Sequence, residues 1–481
     1  MNQYLSNEIT VGRLLLGKNQ PVRIQSMTNT PTRDTEATVG QIIRLAKAGC
    51  EMVRVATANV QDAENLKNIR RELRQKGIEI PLIADIHFQP KIAEVAAGIA
   101  DKIRINPGNF VGSHHKNKKY SADEYAQELE NTAQNLKPLL KICKKNDTAI
   151  RIGINHGSLS DRILYRYGNT PQGMVSAAIE FIQICRKNNF HNLTLSLKAS
   201  SVSVMIEANR LLVQKMKKYG WYYPVHLGVT EAGSGIAGRV KSIMGIGTLL
   251  SEGIGDTLRV SLTEAPEKEI PVARQIARTY PRNSNSLPNS VQWIQYSELD
   301  SSLRSTVVWI KEKEKPKPEK KICLLSYPHL QKEEVIYRAP VDFYRAWEQK
   351  QPDGLLILHR KNIRILPNTS LALQILQAAG LRFSKAELIA CPSCGRTQFD
   401  IEQELRRVQQ RLGHLKGLKI AIMGCFVNGP GEMAGADYGY VGAGKGKVNV
   451  YKKDKILFQH LSPDEALNKL EELILKEQKP T

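Results

Sequence analysis

The feature that most constrains this chain is a strand–helix pattern that recurs eight times between Val22 and Thr263. Strands that are apolar throughout and separated by helical segments favour a parallel sheet. Eight such repeats predict an α/β fold in which the sheet closes into a TIM-like (β/α)8 barrel. Residues 8–17 are predicted to form a hairpin under the barrel floor. The strand-like runs are 22–28, 51–57, 82–88, 102–108, 149–155, 193–199, 225–233 and 257–263.

Polar side chains occupy the late positions of these strands, where barrels carry their chemistry. Five are cations from five different strands: Arg54, Arg104, Arg151, Lys198 and Arg259. An unpaired cation is costly in a buried strand, so five of them favour a polyanionic ligand, such as a diphosphate, over pairing inside the barrel. The neighbouring polar groups would then contact hydroxyls or move protons: Asp85, Asn106, Asn155 and Glu231.

Two histidines and two glycine-rich loops near the same strand ends give weaker signals. His87 and His156 are more simply read as hydrogen-bonded structural residues than as catalysts. The loops 230–238 and 245–256 lie where barrels often bind phosphate at a helix N-terminus, although such loops also serve only as turns.

Charge limits the function classes further. Lys and Arg outnumber Asp and Glu by 69 to 47, a formal net charge of +22, which suits nucleic acid, a phosphorylated substrate or an acidic protein partner. Nucleic acid is disfavoured because aromatics are only 6% and the richest basic run, 311–321, contains none. The sequence has neither a transmembrane-length apolar run nor a signal peptide, so we expect no membrane and a cytoplasmic location.

Beyond the eighth repeat the pattern changes. Residues 267–280 predict one more helix, and 281–290 and 311–321 have linker composition. Strand-like runs at 305–310, 321–327 and 354–360 predict a small α/β subdomain. We therefore predict three parts, a barrel over 1–280, an insert over 281–370 and a C-terminal domain over 371–481.

Three of the seven cysteines stand out. Cys50, Cys143, Cys185 and Cys323 lie in apolar segments and are predicted to be core residues. Cys391 and Cys394 form a C-x-x-C pair, whose sulfurs converge on one metal or cluster, and Cys425 sits in a Gly/Pro-rich turn after a strand. Spacing alone leaves an iron–sulfur cluster, a zinc knuckle and a redox dithiol open. The cluster is favoured, because a second C-x-x-C or a histidine pair, which zinc usually needs, is missing.

Three thiolates leave one iron of a cluster without a ligand. Glu432 follows Cys425 by seven residues in the same glycine-rich segment. A carboxylate binds iron–sulfide weakly, which would leave that iron accessible to a substrate oxygen. The combination of a cluster with a polyanion-binding barrel indicates electron delivery into a phosphorylated substrate.

The motifs of both halves resemble one family. IQSMTNTPT, ADIHF, RINPGN, RIGINHGSL, GVTEAG and GIGDTLRVSLTE in the barrel, with CPSCGRTQFD and MGCFVNGPGE near the C-terminus, resemble the 4-hydroxy-3-methylbut-2-enyl diphosphate synthases. The resemblance implies a TIM-like barrel followed by a small α/β domain that holds a [4Fe–4S] cluster and is similar to the cluster domain of sulfite reductases.

The resemblance also implies residue roles. Cys391, Cys394, Cys425 and Glu432 match the cluster ligands. The positions that hold the diphosphate are matched by Arg54, Arg104, Arg151, Lys198, Arg259 and Ser261. The polar positions near the substrate's carbon skeleton are matched by Asp85, Asn106, Asn155 and Glu231. Of these, Glu231 is the expected proton donor or hydroxyl-orienting acid.

The implied reaction is the reductive ring opening and dehydroxylation of 2-C-methyl-D-erythritol 2,4-cyclodiphosphate in isoprenoid biosynthesis. Its two electrons would come from ferredoxin or flavodoxin, both acidic proteins. One departure from the common two-domain form is the insert of about 90 residues, shorter than in the long forms of plants and some bacteria. With an insert, closure of the cluster domain over the barrel is possible within one chain as well as across a homodimer. The lack of a transit-like N-terminus favours a bacterial cytoplasmic protein.

Two alternatives compete with this interpretation. The first is a phosphate-binding barrel transferase, similar to dihydropteroate synthases, with a structural zinc knuckle. The second is a basic nucleic-acid-binding protein with a metal ribbon. Metal content separates the iron–sulfur hypothesis from both.

Overall fold

The computed structural model describes residues 4–86, 89–110, 119–281, 290–312, 314–361, 364–425, 433 and 435–478. Eight parallel strands form one sheet in the order β8-β7-β6-β5-β4-β3-β10-β9, which confirms the TIM-like barrel. A bridge between Leu195 and Val225 joins the two ends of that order. The strands are β3 (Arg23–Met27), β4 (Met52–Thr57), β5 (Leu82–Ile86), β6 (Lys102–Ile105), β7 (Ala149–Asn155), β8 (Leu193–Lys198), β9 (His226–Leu227) and β10 (Thr257–Leu258).

The last two barrel strands are shorter than the sequence runs that predict them. Each is only two residues long. Further along both segments, backbone N–H groups donate to carbonyl oxygens in neighbouring loops. Thr230 N donates to Ala199 O at 3.1 Å, and Thr263 N donates to Gly233 O at 3.1 Å.

Helices surround the barrel and an antiparallel hairpin closes its floor, as predicted. The hairpin strands are β1 (Ile9–Val11) and β2 (Leu14–Leu16), and their apolar side chains pack against the first residues of β4 and β5. The helices of this region are Thr35–Ala48, Val60–Gln75, Pro90–Ala97, Pro107–Phe110, Ala122–Lys145, Asp161–Tyr167, Pro171–Lys187, Val202–Lys218, Gly235–Ser251 and Glu269–Thr279. Asp34 caps the first of them and Gly49, in the left-handed region at φ 100°, ends it.

The insert forms a five-stranded sheet that packs on the barrel. Its strands are β11 (Val291–Gln295), β12 (Val308–Trp309), β13 (Lys321–Gln331), β14 (Gly354–Lys361) and β15 (Arg364–Pro367). Its helices are Ser301–Arg304, Lys332–Val335, Ala339–Lys350 and Thr369–Ala378. Helix Ala339–Lys350 lies so close to helix Gly235–Ser251 that a Cβ on Gly247 would come within 2.7 Å of Val341. The insert and the barrel therefore share one apolar core.

The C-terminal domain has a second five-stranded sheet, in the order β16-β17-β18-β19-β20. The strands are β16 (Glu387–Ala390), β17 (Lys419–Met423), β18 (Tyr438–Gly444), β19 (Lys447–Lys452) and β20 (Lys455–Leu461). Helices Ile401–Leu412 and Pro463–Gln478 cover one face and close a separate apolar core. Because β16, β17 and β18 are parallel, the chain leaves β16 and β17 at the same edge of the sheet. Cys391 follows β16 directly and Cys425 comes two residues after β17.

Among the described residues, no helix combines the length and the apolar character that crossing a bilayer requires.

Candidate active site

The carboxyl ends of the barrel strands open into a cavity that the C-terminal domain covers. The structure brings together there the five cations singled out in the sequence: Arg54, Arg104, Arg151, Lys198 and Arg259. Two glycines make room for them. A Cβ on Gly153 would lie 2.5 Å from Arg104 Nε, and one on Gly228 would lie 2.6 Å from Lys198 Nζ. Small residues on these strands thus let long cationic side chains fill the barrel mouth.

Two buried carboxylates neutralise part of this charge. Asp85, 1% exposed, lies 3.5 Å from Arg104 Nη1 and 3.8 Å from Arg54 Nη1. Glu269, from the last barrel helix, accepts from Arg259 Nε and Nη2 at 3.2 Å each. Burial and the other cations, opposed by Asp85, lower the pKa of Arg54 to about 10. Among the described residues, ion pairs with Asp85 and Glu269 involve Arg54, Arg104 and Arg259 of the five cations.

Arg151 is a buried cation whose guanidinium nitrogens are only partly hydrogen-bonded. It is 1% exposed, and neither its Nε nor its Nη1 has a hydrogen-bond partner within the described ranges. It lies in register with Arg104 on the next strand, so like charges stand side by side. Burial, followed by the charges of Arg54 and Arg104, holds the pKa of Arg151 well below its usual range. Although Asp85 partly offsets these effects, the two nitrogens have lost their water without gaining an acceptor among the described residues, and a bound polyanion would supply one.

Of four further residues predicted for the site, three line the cavity and one bonds to a neighbouring loop instead. Asn155, Ser261 and Glu231 line the cavity, and Glu231 has a positive φ of 49°, which is costly for a residue other than glycine. Asn106 turns away: β6 ends at Ile105, and Asn106 accepts from Gly108 N at 3.2 Å and donates to Ser158 Oγ at 2.8 Å. It therefore caps the short helix Pro107–Phe110 instead of facing the cavity.

The two histidines beside this set are separate cases. The ring of His156 bonds to Asn169 O at 2.8 Å, as expected for a structural residue. His87 lies outside the described residues.

Three charged residues at the site were not singled out from the sequence. Arg396, two residues after Cys394, lies 3.5 Å from Asp85 and joins the two domains. Glu269 comes from a helix whose amphipathic pattern gives no sign of a buried ion pair. Lys102 lies below Arg104 on the same strand, fully buried with the Met52 sulfur 3.6 Å from its Nζ. Its place, two residues before Arg104 on the inward face, is the signal that strand alternation offers for it.

The three unusual cysteines line the same cavity from above. Cys391, Cys394 and Cys425 face the cations, and Cys391 Sγ accepts from Gly424 N at 3.2 Å. The remaining cysteines are buried in the core as predicted, and burial raises the pKa of Cys50, Cys143 and Cys323 to about 12. Glu432 lies outside the described residues, so its position relative to the thiols stays a prediction.

The C-terminal domain closes over the barrel of its own chain. Ala390, next to Cys391, pairs in parallel with Ala232 of the barrel loop after β9. Lys241 of the barrel donates to Glu387 of β16 at 2.7 Å. A Cβ on Gly395 would lie 2.7 Å from the carbonyl oxygen of Thr30. Closure within one chain, left open by the sequence, is therefore the arrangement of this structure.

Comparison with known proteins gives the chain a family. Residues 6–274 match the GcpE TIM-barrel domain, and residues 387–476 match the GcpE protein C-terminal domain. The unmatched stretch between them contains the insert sheet.

Curated relatives match almost end to end. A protein of Phocaeicola vulgatus named 4-hydroxy-3-methylbut-2-en-1-yl diphosphate synthase (flavodoxin) is 39% identical, over 98% of this chain and 97% of the relative. Proteins with the same name from Bacteroides fragilis and Bacteroides thetaiotaomicron are 39% and 38% identical, over 98% of this chain and 95% and 98% of the relatives. The first alignment spans 595 positions against the 481 residues of this chain, so that relative carries additional segments.

Proposed function

The chain belongs to the GcpE family of 4-hydroxy-3-methylbut-2-en-1-yl diphosphate synthases, and we propose that the cavity between its barrel and C-terminal domain is the active site for that reaction. The enzyme is an oxidoreductase of isoprenoid biosynthesis. It opens the ring of 2-C-methyl-D-erythritol 2,4-cyclodiphosphate and removes a hydroxyl group. Two electrons enter, a ring C–O bond and a C–OH bond break, and the hydroxyl leaves as water after taking up a proton. The observation that carries the proposal is that one cavity joins five buried cations to three cysteines.

The cations hold the substrate's diphosphate. Arg54, Arg104, Arg151, Lys198 and Arg259, with the Ser261 hydroxyl, surround the barrel mouth from five strands. Guanidinium groups pair with phosphate oxygens through two parallel bonds, which fixes orientation as well as charge. The diphosphate thus binds deep in the barrel, and the carbon skeleton is left near the thiols of the C-terminal domain.

Two carboxylates, Glu231 and Asp85, act near the carbon skeleton of the substrate. Glu231 lines the cavity on the loop that pairs with Ala390, which puts it between the barrel and the cysteines. We assign it the proton that the departing hydroxyl takes up. Asp85 touches arginines from both domains and positions them around the substrate, while Asn155 orients a hydroxyl group.

The cofactor is a [4Fe–4S] cluster, which when bound delivers electrons one at a time to the substrate. Cys391, Cys394 and Cys425 would hold three of its irons and Glu432 the fourth. Within the described ranges no three His, Cys, Asp or Glu side chains are spaced for a single metal ion. Thiolates around one zinc all lie about 2.3 Å from it, whereas a cluster spreads its ligands over separate irons. A zinc knuckle is disfavoured because the second C-x-x-C or histidine pair that zinc usually needs is missing from the sequence.

The electron donor is a flavodoxin-class protein, since the names of the relatives specify flavodoxin. A dihydropteroate-synthase-like transferase with a zinc knuckle is not favoured, since the family matches cover both the barrel and the cysteine domain. A bacterial cytoplasmic location and a possible homodimer remain predictions.

Anaerobic purification tests the cofactor directly. We expect a brown protein with about four iron and four sulfide per chain and a broad charge-transfer absorption, the composition of a [4Fe–4S] centre. A colourless protein with one zinc per chain would overturn this part of the proposal.

Weak ligation by Glu432 leads to a prediction about cluster stability. Glu432→Ala removes the hard oxygen ligand, so the cluster should lose iron in air much faster than the wild type. Glu432→Cys supplies a soft thiolate and should hold the cluster at least as tightly, with lower turnover. Iron content and visible absorption followed over time measure both. If Glu432→Ala keeps its iron as long as the wild type, another group is the fourth ligand.

Closure within one chain is tested at Gly395. Gly395→Ala places a methyl group 2.7 Å from Thr30 O, so the C-terminal domain cannot seat fully on the barrel. We expect kcat/KM to fall at least tenfold while the cluster spectrum is unchanged. Gly40→Ala is the matched control, because there the nearest atom is the flexible end of Arg44 at 3.7 Å. Full activity of Gly395→Ala would mean that this contact is not needed in turnover.

A further inference from the structure

A lysine-bearing turn lies at the same edge of the C-terminal sheet as the cysteine motifs, because β18 runs parallel to β17. It joins β18 to β19 and consists of Gly444, Lys445, Gly446 and Lys447. Gly444 N donates to Gln398 Oε1 at 2.7 Å, and Gln398 N donates to Gly424 O at 3.0 Å. Gly424 is the residue whose N–H contacts the Cys391 sulfur. Three hydrogen bonds, through Gln398 and Gly424, thus connect the turn to Cys391, a predicted cluster ligand.

The fit between the turn and the cysteine segment is tight. A Cβ on Gly442 would lie 2.5 Å from Gly424 O and 3.1 Å from Gln398 Oε1. Since only glycine permits this approach, β18 is drawn up against the residue before Cys425. The turn therefore has a fixed position relative to the thiols.

The charge of the turn is available to a partner. Lys445 and Lys447 are both exposed, and within the described part of the chain neither forms an ion pair. By contrast, Lys452 at the far end of β19 is paired with Glu477 at 2.6 Å. The two lysines beside the cysteine motif are therefore exposed positive charges held in no ion pair of the described part of the chain, although Glu465 feels the charge of Lys447.

We propose that Lys445 and Lys447 form the docking surface for the acidic electron carrier, a flavodoxin-class protein whose carboxylates face this turn during electron transfer. The proposal rests on the proposed function, which requires such a carrier. The turn is linked to Cys391 through Gln398 and Gly424, so a carrier bound at the two lysines lies close to the thiols. Charges at the rim of an interface mainly raise the association rate and make it sensitive to salt.

The test compares two charge-reversed double variants with the full-length holoenzyme. Lys445→Glu with Lys447→Glu should raise the KM for reduced flavodoxin at least tenfold and flatten the dependence of kcat/KM on ionic strength. The control is Lys453→Glu with Lys455→Glu, an equal charge change at the exposed turn between β19 and β20. It should change the KM for flavodoxin by less than threefold.

A chemical-reductant arm separates the two proposals. With dithionite and methyl viologen in place of the carrier, both variants should reduce the cyclic diphosphate at the wild-type rate and keep the wild-type cluster spectrum. Equal effects of the two variants on the KM for flavodoxin would overturn the docking surface, since net charge alone would then explain them. Absence of turnover by the wild type with the chemical reductant would instead contradict the proposed function.

Discussion

Arg151→Met should make the apo protein more stable while nearly abolishing diphosphate binding. Arg151 is buried with two donors unpartnered within the described ranges, beside Arg104 and Arg54. Removing such a group relieves about 1–3 kcal/mol of uncompensated desolvation, and methionine fills the vacated space. In the complex, the same change deletes two charge-assisted hydrogen bonds of about 1.5–3 kcal/mol each, so affinity should fall about 100-fold or more.

Thermal unfolding and calorimetry with inorganic pyrophosphate measure the two effects. The wild type should gain stability when pyrophosphate is added, as any ligand selective for the native state requires, and Arg151→Met should gain far less. The control is Arg71→Met on an exposed position of helix Val60–Gln75, which should change neither quantity. If Arg151→Met is destabilised like an ordinary core variant and still binds pyrophosphate, Arg151 is a structural residue and the account of the cation cluster is wrong.

Glu231→Gln should lose turnover but keep its cluster and its affinity for the substrate. The amide retains the size and hydrogen bonds of the carboxyl group but cannot give up a proton. Loss of a general acid typically costs a factor of about 10²–10⁴ in rate. The substrate's Kd should change less than threefold because the diphosphate is held by the barrel cations, which are untouched.

Single-turnover assays with pre-reduced protein isolate this step from electron delivery. Glu264→Gln is the control: that glutamate is bound to Arg239 at 2.6 Å and does not line the cavity, so turnover should stay within about threefold of the wild type. Wild-type turnover by Glu231→Gln would remove this residue from the mechanism and leave its positive φ without a functional reason.

The sequence predicted the barrel and much of its mouth because strand alternation is a local signal. In β6, Lys102 and Arg104 alternate with apolar residues, so the inward face is readable from spacing alone. Asn106 is less clear from its pattern, because the strand ends one residue earlier and its side chain bonds to Gly108 N at the start of a short helix, so its role at the substrate stays a prediction. Only the end of the strand, which propensity locates poorly, decides between the two roles.

Contacts between distant segments could not be predicted in the same way. The pairing of Arg396 with Asp85 joins residues more than 300 positions apart, and nothing in either local pattern indicates the other. The bond between Arg259 and Glu269 is close in sequence, yet the helix carrying Glu269 reads as amphipathic. The insert likewise gains β11 and β15, short strands in which no residue is fully buried.

The positive charge of the chain is now divided among separate tasks. Five cations face the cavity. Lys445 and Lys447, on the turn between β18 and β19, are exposed and can contact a protein partner. Neither group lies in the lysine-rich run 311–321, whose described residues are mostly exposed.

The most direct measurement is an anaerobic assay of the reconstituted protein with 2-C-methyl-D-erythritol 2,4-cyclodiphosphate and a chemical reductant, followed by separation of the diphosphates formed. We expect 4-hydroxy-3-methylbut-2-enyl diphosphate, one molecule for every two electrons consumed, and no product when the cluster has been removed. Recovery of unchanged cyclic diphosphate from protein that has an intact, reducible cluster and binds the substrate would contradict the account.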